Sequence, residues 1–150
     1  MKATQWRLGN PGSSELILRN DGSVYHLGVL PEDIADTVLV VGDPERVGQI
    51  SSKFDSIQVR KQSREFAVHT GSLNNTRLTV LSTGIGVDNI DIVINELDAA
   101  VNIDLKTGGV KRDLRILKII RLGTSGSLQP DLPAGTILLS KAALGIDGLP

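Results

Sequence analysis

Short apolar runs of strand length alternate along the chain with segments whose apolar residues recur at helical spacing. The runs TVLVVG (37–42) and ILKIIRLG (116–123) are almost uninterrupted, which is typical of strands buried on both faces. The other predicted strands lie in the segments 56–73 (two strands), 76–86 and 136–140. This pattern predicts a sheet of several strands.

Two of the predicted strands lead directly into a helix. Asp43 has the side chain of an N-cap and Pro44 suits the first helical position, so the first helix is expected to begin here. Asp88 or Asn89 is expected to cap the second helix. The apolar residues that predict one face of each helix are Val47, Ile50 and Phe54 in the first, and Ile90, Val93, Ile94, Leu97 and Val101 in the second.

A hairpin is predicted near the start of the chain, because the turn signal NDG (20–22) separates ELILR (15–19) from SVYHL (23–27). The segment PEDIAD (31–36) suits a short helix or a turn. Alternating strands and helices, together with hairpins, predict an α/β fold of three α/β/α layers with a mixed central sheet. Residues 1–150 are expected to form one domain that is incomplete at its C-terminus, since the chain stops just after a predicted strand.

The charge balance argues against several classes of protein. Lys and Arg number 16 and Asp and Glu number 17, so the net charge is −1 and a nucleic-acid surface is not expected. No apolar run approaches the length of a membrane span, so no membrane partner is expected. The chain has no Cys and 2 His, which argues against a disulfide or zinc site and fits a cytoplasmic protein.

Three common glycine motifs do not fit this chain. The P-loop pattern is absent, and GIGVDN (84–89) has Asn89 where a dinucleotide fingerprint needs its third glycine. The segment GTSGS (123–127) lacks the spacing of a nucleophile elbow. Taken alone, it is best interpreted as a tight turn at the exit of a strand.

Arginines occur near the ends of three predicted strands: Arg46 in VVGDPER, Arg64 in QSREF and Arg121 in IIRLGTSG. Guanidinium groups, hydroxyls and close-packed glycine backbone are what an oxyanion binds. Arg46 is also compatible with a solvated first-turn position, and Arg64 with an ion pair to Glu65 or simple exposure. Arg121 stands among apolar neighbours, so we predict that it binds a small anion, phosphate above all.

Four segments in this order resemble the nucleoside phosphorylase family, in the branch of uridine phosphorylase and the hexameric purine nucleoside phosphorylases. They are HLGVLPEDIADTVLVVGDPERVGQI, REF, STGIG and RLGTSGSLQPDLPAGTILL. The resemblance runs from about His26 to the last residue and is closer to the uridine phosphorylases in HLG and RLGTSG. Residues 1–22 are an extension unlike the family.

The resemblance implies a role for each matching residue. His26 would contact the ribose 5′-hydroxyl in a neighbouring subunit, and Arg64 would reach the phosphate there. Arg121 and Thr124 would be the catalytic residues. The phosphate would be held by Gly42, Arg46, Arg64, Arg121 and Thr124, and the nucleoside by His26, Thr124, Ser125 and Gly126.

The resemblance also implies partners. Inorganic phosphate would be a co-substrate and no cofactor would be required. Glu65, Ile85 and Asn89 match a site where some uridine phosphorylases bind a monovalent cation such as K⁺ between subunits, although the family pattern has serine at position 89. The protein would be a homodimer or a higher homo-oligomer, a hexamer included.

The implied activity is reversible phosphorolysis of a nucleoside, with uridine favoured, to a free base and pentose 1-phosphate. Family members continue well beyond residue 150, so the chain is also compatible with a truncated inactive fragment. The same residues would suit a non-catalytic phosphate- or nucleoside-binding module, or a nucleosidase that uses water. Three phosphate-directed arginines argue against the nucleosidase.

Overall fold

A mixed sheet of five strands forms the centre of the molecule. A computed structural model describes residues 16–145, while 1–15 and 146–150 lie outside the described part. The sheet has the order β2-β3-β4-β1-β5, in which β1 is parallel to β4 and β5, whereas β2, β3 and β4 are antiparallel neighbours. The strands are β1 (Thr37–Val41), β2 (Ser56–Ser63), β3 (Phe66–Leu73), β4 (Thr76–Ser82) and β5 (Lys118–Arg121).

The register brings the carboxyl ends of three parallel strands to one edge of the sheet. Val41 at the end of β1 pairs with Ser82 at the end of β4, and Val40 pairs with Arg121 at the end of β5. Loops that leave parallel strands at a common edge are where α/β proteins usually bind ligands. This edge carries the site described below.

Helices cover both faces of the sheet, which confirms the three-layer prediction. Helix α1 (Pro44–Ser51) packs through Val47 onto Val41 and Val80 on one face. Helix α2 (Val87–Asn102) packs on the opposite face. The largest apolar cluster joins α2 to β1, β3, β4 and the segment before β1, and its buried residues are Val24, Leu27, Val29, Ile34, Val38, Val40, Phe66, Val68, Leu81, Val93, Leu97, Ala100 and Val101.

The two helix starts differ from each other. Asp43 caps α1 as predicted, accepting a hydrogen bond from the Glu45 N–H at 2.9 Å. The predicted cap of α2 was wrong, because the N-cap is Gly86, at φ +105°, with no side-chain cap bond. Glycine is the residue that adopts this backbone conformation readily, so the chain turns into α2 before it reaches Asp88 or Asn89.

The predicted N-terminal hairpin is present only as its turn. Gly22 has φ +82°, and its N–H donates to the Arg19 carbonyl at 2.9 Å. Strand pairing is limited to a single bridge between Leu18 and Val24. A 3-10 helix at Pro31–Asp33 confirms the short helix expected in 31–36.

Two strand predictions near the end of the described part need correction. Strand β5 is not buried, since Ile119 is 41% exposed and Ile120 is 42% exposed. It pairs with β1 alone among the described strands, so its outer edge is open. Segment 136–140 is not a strand in the structure: its backbone pairs with none of the described strands, and Ile137 and Leu139 are almost fully exposed.

The segment before β1 is held by arginine side chains. Arg115 donates to the carbonyls of Pro31 and Ile34 at 2.9 and 2.8 Å and forms an ion pair with Asp36 at 2.7 Å. Arg77 donates to the Ile34 carbonyl at 3.0 Å. These guanidinium groups satisfy backbone carbonyls at the amino end of the sheet, away from the edge with the parallel strand ends. Across the described residues, no helix is long and apolar enough to span a bilayer.

Candidate anion-binding site

A cavity of about 600 Å³ lies at the edge where β1, β4 and β5 end. Each of the three strand-end loops contributes to its wall, and so does the turn between β2 and β3. The residues that line it are Gly42, Asp43, Pro44, Arg46, Glu65, Gly84, Ile85, Asn89, Arg121, Gly123 and Thr124. The structure therefore brings four of the predicted phosphate-binding residues to one cavity, namely Gly42, Arg46, Arg121 and Thr124.

The start of α1 places Arg46 at the cavity. Gly42 directly follows β1, and a Cβ there would be in ordinary contact with the Gly84 carbonyl oxygen at 3.7 Å, so the loops after β1 and β4 lie side by side. The α1 N–H groups of Glu45 and Arg46 donate to the side chain and carbonyl of Asp43, respectively, at 2.9 and 3.2 Å. These two N–H groups of the first helical turn are therefore already paired within the chain, and α1 contributes its dipole and the Arg46 guanidinium group to the cavity.

The end of β5 places Arg121 at the cavity through a nearby glycine. A Cβ on Gly123 would collide with the Arg121 guanidinium group. Glycine at 123 thus leaves room for the arginine to fold back beside its own chain, while Thr124 follows in the cavity wall. This gives a physical reason for a glycine two residues after the arginine that ends β5.

Within residues 16–145, the three arginines that were predicted to bind the anion have no protein acceptor. Arg46, Arg64 and Arg121 donate no side-chain hydrogen bond to another described residue, whereas Arg19 and Arg115 each bind backbone carbonyls. A guanidinium group has five N–H donors, so these side chains retain full capacity for an anion.

The formal charges of the cavity lining balance within one chain. Arg46 and Arg121 supply two positive charges, while Asp43 and Glu65 supply two negative ones. The Asp43 carboxylate is engaged in capping α1, and the Glu65 carboxylate accepts a hydrogen bond from Asn89. Each carboxylate is thus held by a hydrogen bond and keeps its charge, so the described lining of the cavity has no net charge within one chain.

Four of the predicted site residues lie outside the cavity lining. Arg64 is exposed in the turn between β2 and β3, in the left-handed conformation at φ +53°. Ser125 and Gly126 continue the exposed segment after Thr124. His26 lies on the loop before the 3-10 helix, with its ring centroid 6.4 Å from that of Phe66.

The three residues of the predicted cation site do lie together. The Asn89 Nδ2 donates to Glu65 Oε1 at 3.1 Å and to the Ile85 carbonyl at 3.2 Å. Gly84, at φ +66°, passes close to both side chains, and a Cβ there would lie 2.8 Å from the Asn89 Nδ2. The amide thereby fastens the Gly84–Gly86 loop to the β2–β3 turn.

Sequence reasoning missed some residues of the cavity lining, and it missed the partner of His26. Gly84 lines the cavity, and its place in STGIG next to a predicted strand end was the available signal. Glu96 pairs with His26 through Oε1 and Nδ1 at 2.7 Å. No local signal identifies Glu96, because the two residues are distant in the chain and meet only through the packing of α2.

The chain matches known proteins over most of its length. A family model described as the phosphorylase superfamily matches residues 36–150. The uridine phosphorylase of Thermococcus kodakarensis is 36% identical over 136 residues, which are 91% of this chain and 44% of that protein. The uridine phosphorylase of Treponema pallidum is 34% identical over 124 residues, which are 83% of this chain and 43% of that protein.

A solved structure is similar in both fold and sequence. The crystal structure of a Trypanosoma brucei nucleoside phosphorylase, which shows uridine phosphorylase activity, matches with a TM-score of 0.71 and 40% identity. The match covers 79% of this chain and 41% of that chain. The present chain thus spans less than half the length of the relatives it matches.

Proposed function

The chain belongs to the phosphorylase superfamily, and from this premise we propose that it works as a nucleoside phosphorylase. The reaction is the reversible phosphorolysis of a nucleoside, with uridine the favoured substrate, to a free base and pentose 1-phosphate. The names of the uridine phosphorylases cited above support this choice of substrate. Its setting is proposed to be the cytoplasm.

The observation that carries the proposal is the shared cavity of Arg46 and Arg121. These residues come from different halves of the chain, and both guanidinium groups are free of side-chain partners among the described residues. Thr124 supplies a hydroxyl at the same wall, and Gly42 allows close approach of backbone. A phosphate ion offers enough oxygen acceptors to bind all of these groups at once.

In the proposed reaction, a phosphate oxygen forms a bond to C1′ of the sugar while the glycosidic C1′–N bond breaks. The bonding electrons leave with the base, and the sugar passes through a state with oxocarbenium character. Arg46, Arg121 and Thr124 hold the phosphate against the sugar, so its negative charge stabilises the developing cation while proximity lowers the entropic barrier. Arginine stays protonated at working pH, so these residues orient phosphate and do not transfer protons.

We propose that a second copy of the chain completes the site, in a homodimer or a hexamer. The lining charges of one chain cancel, so an additional guanidinium group would make the cavity favourable for a dianion. Arg64 is exposed, free of side-chain partners among the described residues, and outside its own cavity. His26 lies close by, because Arg19 bridges the His26 carbonyl and the Ser63 hydroxyl at 3.1 and 2.5 Å.

For the monovalent cation, we propose that the Asn89 amide takes the place of the ion. Its N–H groups already bind the Glu65 carboxylate and the Ile85 carbonyl, two oxygens that a K⁺ ion would use. Base release should then be equally fast in potassium and choline chloride. The matched variant Asn89→Ser should become dependent on K⁺, and a K⁺ requirement of the unaltered protein would contradict this assignment.

One assay tests the proposed function. The protein is incubated with uridine or inosine, with and without inorganic phosphate, and the free base is measured. We expect release that depends on phosphate, and Arg46→Ala should reduce it, while Arg112→Ala, a change outside the cavity lining, should not. Release without phosphate would indicate a nucleosidase, and nucleoside binding without release would indicate a non-catalytic module.

A further inference from the structure

The carboxylate of Glu96 is enclosed by donors from a single short loop. Glu96 Oε1 lies 2.7 Å from the His26 Nδ1 and accepts the His26 backbone N–H at 2.8 Å. Glu96 Oε2 accepts the backbone N–H of Leu27 at 2.8 Å. One helix residue therefore binds both the ring and the backbone of the loop that carries His26.

The loop around His26 is fixed from its other side as well. Val24 and Leu27 are fully buried, so the chain on either side of His26 is anchored in the core. Arg19 Nε donates to the Tyr25 carbonyl at 2.7 Å, and the Arg19 guanidinium group fills the space that a Cβ on Gly28 would need. The imidazole is therefore presented on a rigid support, with 28% of its side chain exposed.

An ionised carboxylate accepts hydrogen bonds and donates none, so Glu96 requires a proton on the His26 Nδ1. In a neutral imidazole, a proton on Nδ1 leaves the lone pair on Nε2. No described residue is bonded to that nitrogen. A lone pair on a ring nitrogen of this partly exposed, rigidly held side chain is an acceptor for a hydroxyl group.

We infer that Glu96 is a positioning residue that holds the His26 imidazole in its Nδ1–H tautomer, so that Nε2 accepts a hydrogen bond from the sugar hydroxyl of a bound nucleoside. The identity of that hydroxyl rests on the proposed function and on the role that the family resemblance implies for His26, which is contact with the 5′-hydroxyl in the site of a second copy. The tautomer itself follows from the contacts of Glu96 and holds without any ligand. This separation allows the two to be tested independently.

The tautomer is measured by nitrogen NMR of the two imidazoles, at a pH where titration shows His26 to be neutral. We expect the His26 proton on Nδ1 in the unaltered protein. In Glu96→Gln, the amide N–H₂ can donate to Nδ1 and this preference should be lost or reversed. His69 serves as an internal control, since its Nδ1 is bonded to Ser51 instead. A His26 proton on Nε2 in the unaltered protein overturns the inference whatever the activity.

The role in recognition is measured with uridine and 5′-deoxyuridine, which lacks the hydroxyl concerned. Glu96→Gln should lower kcat/KM for uridine roughly tenfold, as expected for one lost hydrogen bond, and should change the value for 5′-deoxyuridine little. His26→Ala should give the same pattern, and combining the two changes should add no further loss. Asp91→Asn is the control on the same helix.

The outcomes separate this inference from the proposed function. Equal losses for both substrates in Glu96→Gln would mean that Glu96 only supports the fold, and the inference fails. If the unaltered protein released base from neither substrate, the proposed function would be contradicted instead. The NMR experiment would then still test the tautomer, because it needs no activity. A selective loss with uridine, together with the Nδ1–H tautomer, supports both.

Discussion

At the scale of single residues, the arginines differ in what their guanidinium groups touch. Arg77 and Arg115 bind carbonyls at the amino end of the sheet, where they stabilise the chain segment before β1. Arg46 and Arg121 bind no described side chain or carbonyl and face a common cavity at the opposite edge. The same side chain thus serves structure in one place and is available for a ligand in the other.

The variant Arg121→Ala should weaken phosphate binding strongly. Each charge-assisted hydrogen bond that is lost costs roughly 1.5–3 kcal/mol, which corresponds to a rise in Kd of about ten- to hundredfold. Isothermal titration with inorganic phosphate measures the change. Arg112→Ala, which removes an arginine from outside the cavity lining, is the control, and an unchanged Kd in Arg121→Ala would exclude Arg121 from the phosphate site.

His69 makes stability depend on pH in a defined direction. Burial lowers the pKa of His69 from 6.5, and the nearby positive charge of Arg60 lowers it further. The unfolded chain therefore binds the proton more readily than the folded one, so the stabilisation is present above about pH 6.5 and is lost as the pH falls through the lower folded pKa. Urea unfolding from about pH 7.5 down to about pH 5.5 should show decreasing stability.

The control for this pH dependence is His69→Gln, which cannot take up the proton. Its free energy of unfolding should fall less steeply over the same range, and the difference from the unaltered protein isolates His69 from other groups. Asp21 and Asp104, whose pKa values are lowered mainly by hydrogen bonds from Ser23 and Lys106, act at much lower pH. Parallel profiles of the two proteins would show that His69 is not the cause.

The role of a residue could be predicted from sequence only where it depends on neighbours in the chain. The cap at Asp43 and the arginines at strand ends were visible, because neighbouring residues reveal a helix start or an apolar strand. Glu96 was not, since its partner is His26 and only the packing of α2 brings them together. The roles of Arg64, Ser125 and Gly126, which lie outside the cavity lining, stay predictions, as do those of the residues that line it.

At the scale of elements, β2 and β3 meet at a glycine that has no room for a side chain. A Cβ on Gly71 would overlap the Ser56 carbonyl oxygen and would lie 2.8 Å from the Phe54 ring. Gly71→Ala should therefore push the two strands apart and destabilise the protein by roughly 1–3 kcal/mol. Thermal or urea unfolding measures the loss.

Gly48→Ala is the matched control for this prediction. Gly48 lies within α1, and apart from its chain neighbours and the nearby helix backbone no described atom lies within 4 Å of a Cβ placed there. Alanine should stabilise the helix by roughly 0.5–1 kcal/mol, because glycine loses more backbone entropy on folding. If both alanine variants had the same effect on stability, the close approach at Gly71 would not be the cause.

Helices and strands were predicted correctly where the spacing of apolar residues and the length of the segment indicated the same type of element. The β2–β3 pair, β4 and both helices were predicted, because each has a clear alternation or helical spacing between turn signals. Segment 136–140 has the composition of a strand but forms none, since strand formation requires a partner and composition cannot supply one. The start of α2 was misplaced because a glycine at positive φ made the turn that a side-chain cap was expected to make.

At the scale of the whole molecule, the proposed exchange of residues between copies has a direct test. Arg64→Ala should reduce activity strongly by removing a group from the neighbouring site, and Arg121→Ala should do so by removing a group from its own site. Mixing the two variants should restore part of the activity, because hybrid oligomers contain some sites with both arginines intact. No recovery in confirmed hybrids would contradict the cross-subunit role of Arg64.

The architecture as a whole was predictable, because alternating strands and helices leave few ways to cover a mixed sheet. The exposure of β5 was not, since a run of apolar residues indicates a buried strand only when both flanking partners are present. The assignment of residues 1–150 to one domain, with an N-terminal extension at 1–22, stays a prediction. Residues 1–15 of that extension lie outside the described part.

The equal numbers of acidic and basic groups around the cavity have a consequence for behaviour on dilution. If the additional guanidinium group comes only from a second copy of the chain, phosphate binding and self-association are thermodynamically coupled, so each one favours the other. Phosphate should then shift sedimentation toward the larger species, and the midpoint of its uptake should depend on protein concentration. In a dilute sample most copies would be dissociated, so phosphate would bind weakly even though each copy has all of its own site residues.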